Sequence, residues 1–398
     1  MRTLVAALLL TAPAVAADWP CFLGPTGDNH TPEKVAPWKG KLTEVWKKPV
    51  GEAHSSPVVA DGIVYAFFTP KGTSKDVLAA FDAKTGDKKW EKGYERAKFT
   101  PPFGSGPRGT PCVSGGRVFT LGNTGVLACW DAKAGDIKWK VDTLEKFEAK
   151  NLFFGVSTSP VVVGKVVIVM VGGKGAGIVG FDTESGKVAW QATDDPASYA
   201  SGIVVGKDFV TLTGANVRAV GVADGKEKWA YPFKDKLNES STTPVKAGDL
   251  YIASSVTAGT VALKVTAGKP ALAWEDKKLT CYFSTPVVVG KHLYMVNGAA
   301  NLLNPKIVLR CVDIATGKVL WEQKDIGKYH AAILRTGDDK LLLMDDGGKL
   351  TLFQPDDTAF KPLATAKLCG ETWAHPAVSD GKLYIRDNNN LLCVKLPE

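Results

Sequence analysis

After its first residues the chain has no apolar run long enough to cross a bilayer, so nothing from residue 18 onward reads as a membrane-spanning helix. It has no block of lysine or arginine either. The 49 basic and 41 acidic residues leave a net charge of +8 that is scattered along the sequence, without the concentrated footprint nucleic acid requires. No segment carries a 3.6-residue apolar period, which excludes a helical bundle. Histidine is scarce, five in 398 residues, and none of the seven cysteines is adjacent to another. No serine sits in a nucleophile-elbow context, and no cysteine has a catalytic signature. The one match to G-x-G-x-x-G, Gly175 to Gly180, leads into "FDTESGKVAW" instead of opening a helix, so no helix N-terminus is offered to a phosphate. "GFDTESGK" has the wrong glycine spacing for a P-loop.

What is present begins with Arg2 and the apolar "LVAALLLTAPAVA", ending in the small-x-small triplet Ala14-Val15-Ala16. This pattern predicts a secretory signal peptide over 1–17 and an exported product, periplasmic or secreted and soluble after cleavage. A lipid anchor would need a cysteine directly after a small-residue box, whereas Cys21 follows Asp18-Trp19-Pro20. Residues 18–41, rich in turn formers, read as an extended N-terminal arm packed across one face of the domain that follows.

Tryptophans at 46, 90, 139, 190, 229, 274 and 321 stand 44, 49, 51, 39, 45 and 47 residues apart. Within each interval the same order recurs. A strand–turn–strand segment such as "SSPVVADGIVYAFF" or "GTPCVSGGRVFTLG" is followed by an apolar stretch ending in aspartate, then a glycine turn and a strand carrying tryptophan. Four short strands per unit of about 45 residues predict an all-β, eight-bladed β-propeller of four-stranded antiparallel blades over 42–398, with seven blades as the runner-up. The last unit stops after its third strand, and "LTEVWKKPVG" (42–51) has a tryptophan strand with no blade before it. The strand around Trp46 is therefore expected to complete the last blade and close the ring. Trp46, Trp90, Trp139, Trp190, Trp229, Trp274 and Trp321 read as wedges between blades, and Asp82, Asp131, Asp182 and Asp313 as turn residues.

Cys129, Cys311 and Cys393 occupy the place where other repeats carry Ala80 or Gly180. Two readings stand: free cysteine filling a small buried slot, or disulfides within repeats, Cys112–Cys129, Cys281–Cys311 and Cys369–Cys393, with Cys21 left over.

The residues that could carry chemistry gather ahead of the first strands. His330 and His375 hold matching positions in units 7 and 8, and His54 is near that position in unit 1. Closure makes these units consecutive, so the three histidines should meet at the mouth of the central channel, at the level of Arg108, Tyr199, Tyr282, Tyr329 and Trp373. Such a cluster would suit an anionic ligand or a metal; a wet polar pore is the plainer reading. The long connections 91–109 and 141–156, with Tyr94, Phe99, Phe103, Phe147, Phe153 and Phe154, are expected to form a partner surface on the same face.

The run from Ala80-Phe81-Asp82 to Trp90, matched from the aspartate onward at 129–139, 180–190 and 311–321, resembles the PQQ-like β-propeller repeat family and its tryptophan-docking motif. The resemblance covers about 42–396 and is nearest to exported single-domain propellers of the BamB type, which serve outer-membrane assembly. It implies a non-catalytic, monomeric scaffold that binds protein or peptide in the cell envelope. The family's other branch, the quinoprotein dehydrogenases, implies pyrroloquinoline quinone and calcium in the funnel of the ring. That branch uses a disulfide between adjacent cysteines, which this sequence lacks, so the reading leans away from an enzyme and from a cofactor. A sugar-binding propeller is a further alternative.

Overall fold

The computed structural model describes residues 18–298 and 305–398; the signal-peptide reading of 1–17 lies outside them. Eight four-stranded antiparallel sheets follow one another around a ring. Blade 1 runs Val58–Ala60, Ile63–Phe68, Lys75–Asp82 and Lys88–Glu95, and blade 2 runs Cys112–Ser114, Arg117–Leu121, Val126–Asp131 and Ile137–Asp142. Blades 3 to 7 repeat this over 161–192, 202–232, 245–276, 287–323 and 331–367. Blade 8 supplies Ala377–Ser379, Lys382–Arg386 and Asn390–Lys395, and Glu44–Pro49 pairs with Asn390–Lys395 as its fourth strand. The ring therefore closes through Trp46, with eight blades. The one helix among the described residues is the single turn Thr143–Lys146.

The third strands are apolar along nearly their whole length because a neighbouring blade covers each face. In Lys75–Asp82 the six central residues are all buried, whereas the fourth strand Lys88–Glu95 is mostly exposed. Between third and fourth strands the register slips by one residue, and this bulge sets each tryptophan opposite one small side chain: Ala80 with Trp90, Cys129 with Trp139, Gly180 with Trp190, Cys311 with Trp321 and Cys393 with Trp46. A Cβ on Gly180 would lie 2.3 Å from the Trp190 ring, which shows how little room the slot has. Blade 7, which has no tryptophan, reverses the sizes: Leu352 stands in the slot and Ala364 opposite it.

Each indole reaches into the next blade. Trp46 Nε1 donates to the Ala83 carbonyl at 3.1 Å, Trp90 to Ala132 at 3.2 Å, Trp139 to Thr183 at 3.0 Å and Trp190 to Val222 at 2.9 Å. The ring lies on the glycine of that blade's turn; a Cβ at Gly86, Gly135 or Gly186 would come within 2.7 Å of the docked indole. The same turn is tied by aspartate. Asp82 Oδ1 accepts the N–H groups of Lys84 and Thr85 at 3.0 and 3.1 Å. The Lys89 ammonium beside it and these N–H groups hold its carboxyl down to about 2.

The structure decides between the two cysteine readings in favour of free, buried thiols at the slot, and it extends the reading of the arm. The within-repeat disulfides do not form: Cys21 is bonded to Cys112, and Cys129, Cys281, Cys311, Cys369 and Cys393 are free and buried. Three of those five are the slot residues, whose neighbour is an indole and not a second sulfur. The arm also does more than lie across a face. Trp19 pairs with Val59 of blade 1 through two 2.9 Å hydrogen bonds, and Pro20 accepts from Val113 of blade 2 at 2.8 Å. Leu23 packs against Ala200 and Ile203 of blade 4, and Asn29 accepts from Arg335 of blade 7 at 2.7 Å. One short segment can touch blades 1, 2, 4 and 7 only by lying on the axis. Its ends meet the hairpin turns, with Asp61 N–H donating to Asp18 and Gly381 N–H to Glu33, so the arm plugs the channel from the turn-bearing face.

Candidate functional site in the ring axis

In an extended strand alternate residues face the same way, so the segment entering each first strand presents two tiers to the axis. The tier next to the strand is Ser56, Thr110, Ser159, Ser201, Thr243, Thr285, His330 and His375. Its hydroxyls tie blade to blade. Ser56 N–H donates to Thr110 Oγ1 at 3.1 Å, Thr110 N–H to Ser159 Oγ at 3.0 Å and Ser159 N–H to Ser201 Oγ at 2.9 Å. His375 N–H donates to Ser56 Oγ at 2.8 Å. The second tier, two residues earlier, is His54, Arg108, Ser157, Tyr199, Ser241, Phe283, Lys328 and Trp373. Every member of it but Lys328 lines a cavity of about 140 Å3, whose floor is Phe22 from the plugging arm.

Aromatic rings collar the opening. Phe154 meets Tyr199 at 5.7 Å between centroids and Phe103 at 6.2 Å. Trp373 meets Phe103 at 5.3 Å and Phe283 at 5.1 Å, and Phe283 stacks on Tyr282 at 3.7 Å. Beyond the collar, over blades 1, 7 and 8, lies an open groove of about 1170 Å3 bearing Glu52, Asp325, Asp345, Asp346 and Glu371.

Burial dominates the electrostatics. His330 and His375, with rings 5.2 Å apart, are pushed down to about 4 and about 3, first by desolvation and then by a neighbouring imidazole, His54 for His330 and His330 for His375. His54 falls to about 4 through burial and the Arg108 charge. All three are neutral at pH 7. His54 Nε2 lies 2.6 Å from the Phe103 carbonyl and His330 Nδ1 lies 3.2 Å from Ser284 Oγ, while His54 Nδ1, His330 Nε2 and His375 Nδ1 are buried without a hydrogen-bond partner. Arg108 is lowered to about 10 by burial and donates only to carbonyls of its own loop, Pro102 at 2.9 Å and Gly104 and Gly106 at 3.4 Å. Tyr282 donates its hydroxyl to the Glu239 carboxylate; burial and that carboxylate raise its pKa.

Of the residues expected at the channel mouth, His54, Arg108, Tyr199, Tyr282, His330, Trp373 and His375 line the one cavity. Tyr329 faces the groove instead, its ring 5.6 Å from Trp373. The aromatic residues of the two long connections divide. Phe153 is 70% exposed and Phe103 43% exposed, whereas Phe154 turns inward against Tyr199 and Phe99 is half-buried. Tyr94 is not on this surface: it is buried in the fourth strand of blade 1, stacked on Trp130 at 5.8 Å. Nor is 91–109 a free loop, because it starts as strand and Arg96 then pairs with Asp76 at 2.9 Å, both side chains almost wholly buried. Phe22, Glu239, Phe283 and the hydroxyl tier went unread in the sequence. The hydroxyls were signalled by the Ser or Thr ahead of six of the first strands, and Phe283 by its place two residues before Thr285; Phe22 and Glu239 fall outside the repeat.

Among the described residues no three His, Cys, Asp or Glu side chains converge as a metal-binding group, and no helix is long and apolar enough to cross a membrane.

A family profile described as outer membrane protein assembly factor BamB matches residues 39–102 and 74–304. BamB from Moraxella catarrhalis superposes with a TM-score of 0.61 at 14% identity, covering 89% of this chain and all of that one. A europium-containing methanol dehydrogenase superposes with a TM-score of 0.70 at 11% identity, covering 96% and 98%. The serine/threonine-protein kinase AfsK of Streptomyces griseus is 26% identical over 156 residues, 37% of this chain but only 19% of the kinase. At these identities the solved structures speak for the fold alone.

Proposed function

The chain belongs to the BamB family of PQQ-like propellers, and from that premise we propose that it is an exported, non-catalytic scaffold that binds protein or peptide of the cell envelope on its loop-bearing face. The observation that carries the reading is the placement of exposed aromatic side chains. Phe103, 43% exposed, belongs to the collar and also lines the groove, and Phe153, 70% exposed, packs on the outside of Phe154; aromatic anchors beside a groove are what peptide-binding faces present. The opposite mouth is occupied by the arm, which leaves the loop face as the accessible end of the channel.

The second reading, a quinoprotein, is favoured by the dehydrogenase likeness of the fold. The cavity does not fit its cofactor. At about 140 Å3 it lies below the roughly 300–1,000 Å3 of sites for drug-sized ligands, too small for a fused three-ring quinone between Phe22 and the collar.

The test is site-specific photo-crosslinking in envelope extract. A photoreactive residue at Phe153 should capture a defined partner, and one at Leu363, exposed on the outer strand of blade 7, should not. Loss of the Phe153 adduct in a Phe103→Ser background supports the loop face. Equal labelling from both positions, or none from Phe153, overturns the proposal.

A further inference from the structure

The axial cavity holds two opposite charges that do not meet. Arg108 has only carbonyl oxygens around its guanidinium, and these do not neutralise it. Glu239 accepts from the Tyr282 hydroxyl, and neither residue takes part in an ion pair among the described residues. Both line the same cavity of about 140 Å3. Tyr199 sits within electrostatic reach of both, since the Glu239 charge and the Arg108 charge act on it in opposite directions. Holding two unpaired charges apart in a partly desolvated space is costly unless something bridges them.

A second observation points into the same space. His330 is 3% exposed and His375 6% exposed; both line the cavity, and His330 Nε2 and His375 Nδ1 have no hydrogen-bond partner. Buried polar atoms of this kind are satisfied in nearly all folded proteins, so the wall beside Arg108 and Glu239 carries hydrogen-bonding capacity that the protein's own contacts leave unused. Tyr282 and Phe283 add π-faces beside Glu239, the setting in which an ammonium group is held by carboxylate and ring together.

We propose that this cavity is a binding site for a small zwitterion of the α-amino-acid class, with the carboxylate taken by Arg108 and the ammonium group by Glu239 against Tyr282. The volume selects a free amino acid over a peptide, and the two imidazoles face the remainder of the ligand. The Phe22 floor and the Phe103–Trp373 part of the collar exclude water, which strengthens both charged contacts.

The experiment uses the purified chain and a panel of free L-amino acids at about 10 mM, a concentration that reveals even millimolar affinity, read by thermal shift and followed by calorimetry on any hit. At least one amino acid should raise the melting temperature, and its N-acetyl and its amide forms should each bind about tenfold or more weakly, the loss of one charge-assisted contact. Glu239→Gln should erase discrimination against the N-acetyl form while Arg108→Gln abolishes binding. Both effects should appear at unchanged tryptophan fluorescence. If either variant fails to fold, the blocked-ligand series on the unaltered chain still decides. No shift with any free amino acid, or equal affinity for the blocked forms, overturns the proposal.

Discussion

The indole-on-glycine contact permits a sharp test, because two glycines share one backbone conformation and differ in what surrounds them. Gly86 has φ +72° and Gly62 has φ +73°. Alanine at either must adopt the left-handed region, at about 1–2 kcal/mol, offset by about 0.4–1 kcal/mol from the stiffer unfolded chain. At Gly62 nothing lies within 4 Å of the new Cβ, so the expected cost is only the difference, about 1 kcal/mol. At Gly86 the Cβ would fall 2.7 Å from Trp46 Cδ2 and 2.8 Å from Cγ. Trp46 is 6% exposed and cannot move aside, so overpacking adds about 1–3 kcal/mol. Trp46→Ala alone should cost about 3–5 kcal/mol, and it also removes the ring atoms that the methyl group of Gly86→Ala would strike, leaving only Lys48 Cε at 2.7 Å, the far end of a flexible side chain. The double variant Trp46→Ala/Gly86→Ala should therefore be more stable than the sum of its parts by about 1–3 kcal/mol. Denaturant midpoints at constant slope measure this. Hydrogen exchange in Glu44–Pro49 and Asn390–Lys395 should accelerate selectively in Trp46→Ala, since these strands form the closing seam. Equal costs for Gly62→Ala and Gly86→Ala, or additive singles, would refute the docking argument.

Three further outcomes follow from buried groups. His330 and His375 have folded pKa values of about 4 and about 3 against an ordinary 6.5, so the unfolded chain takes up protons first. Their contribution is complete above pH 6.5 and is lost as pH falls, about 2 kcal/mol each by pH 5. Denaturant midpoints should drop between pH 7 and 5, the drop should shrink in His330→Asn/His375→Asn, and a flat profile in the unaltered chain would contradict the burial argument. The Cys21–Cys112 bond spans 91 residues, so Cys21→Ser should cost about 2–4 kcal/mol; a melting temperature that ignores both this change and added reductant would show that the arm is held by packing alone. Asp76→Asn leaves the Arg96 guanidinium buried without its counter-charge, and should cost about 3–5 kcal/mol in a denaturation titration; a loss under about 1 kcal/mol would mean water reaches the pair.

How much could be read in advance depended on whether a feature repeats. The blade count and the turn role of Asp82 were legible because each recurs, and recurrence separates geometry from chance; the closure through Trp46 was legible as the one strand the repeat left over. The small slot was legible for the same reason, but not its cause, which is the one-residue bulge that turns the opposing tryptophan onto it. The disulfide was not legible. Cysteine spacing favoured partners inside one blade, while the true partner of Cys21 depends on an arm that follows no period and reaches the axis from outside the repeat. Phe22 and Glu239 were hidden by the same irregularity.

His330 and His375 lie between these cases. They interrupt a tier that is otherwise serine or threonine, and the interruption has a physical consequence. At Ser56, Thr110, Ser159, Ser201 and Thr285 the hydroxyl accepts a hydrogen bond from the blade beside it, whereas Thr243 Oγ1 is buried without a partner. The imidazoles of His330 and His375 line the cavity, and each keeps one buried nitrogen without a hydrogen-bond partner. The ring thus gives up self-sufficiency at two adjacent blades, 7 and 8, flanked by His54 on one side and by Phe283 and Tyr282 on the other. In a repeat protein whose scaffold is built from near-identical contacts, two adjacent imidazoles in a tier of hydroxyls change the chemistry of the axis without changing the fold.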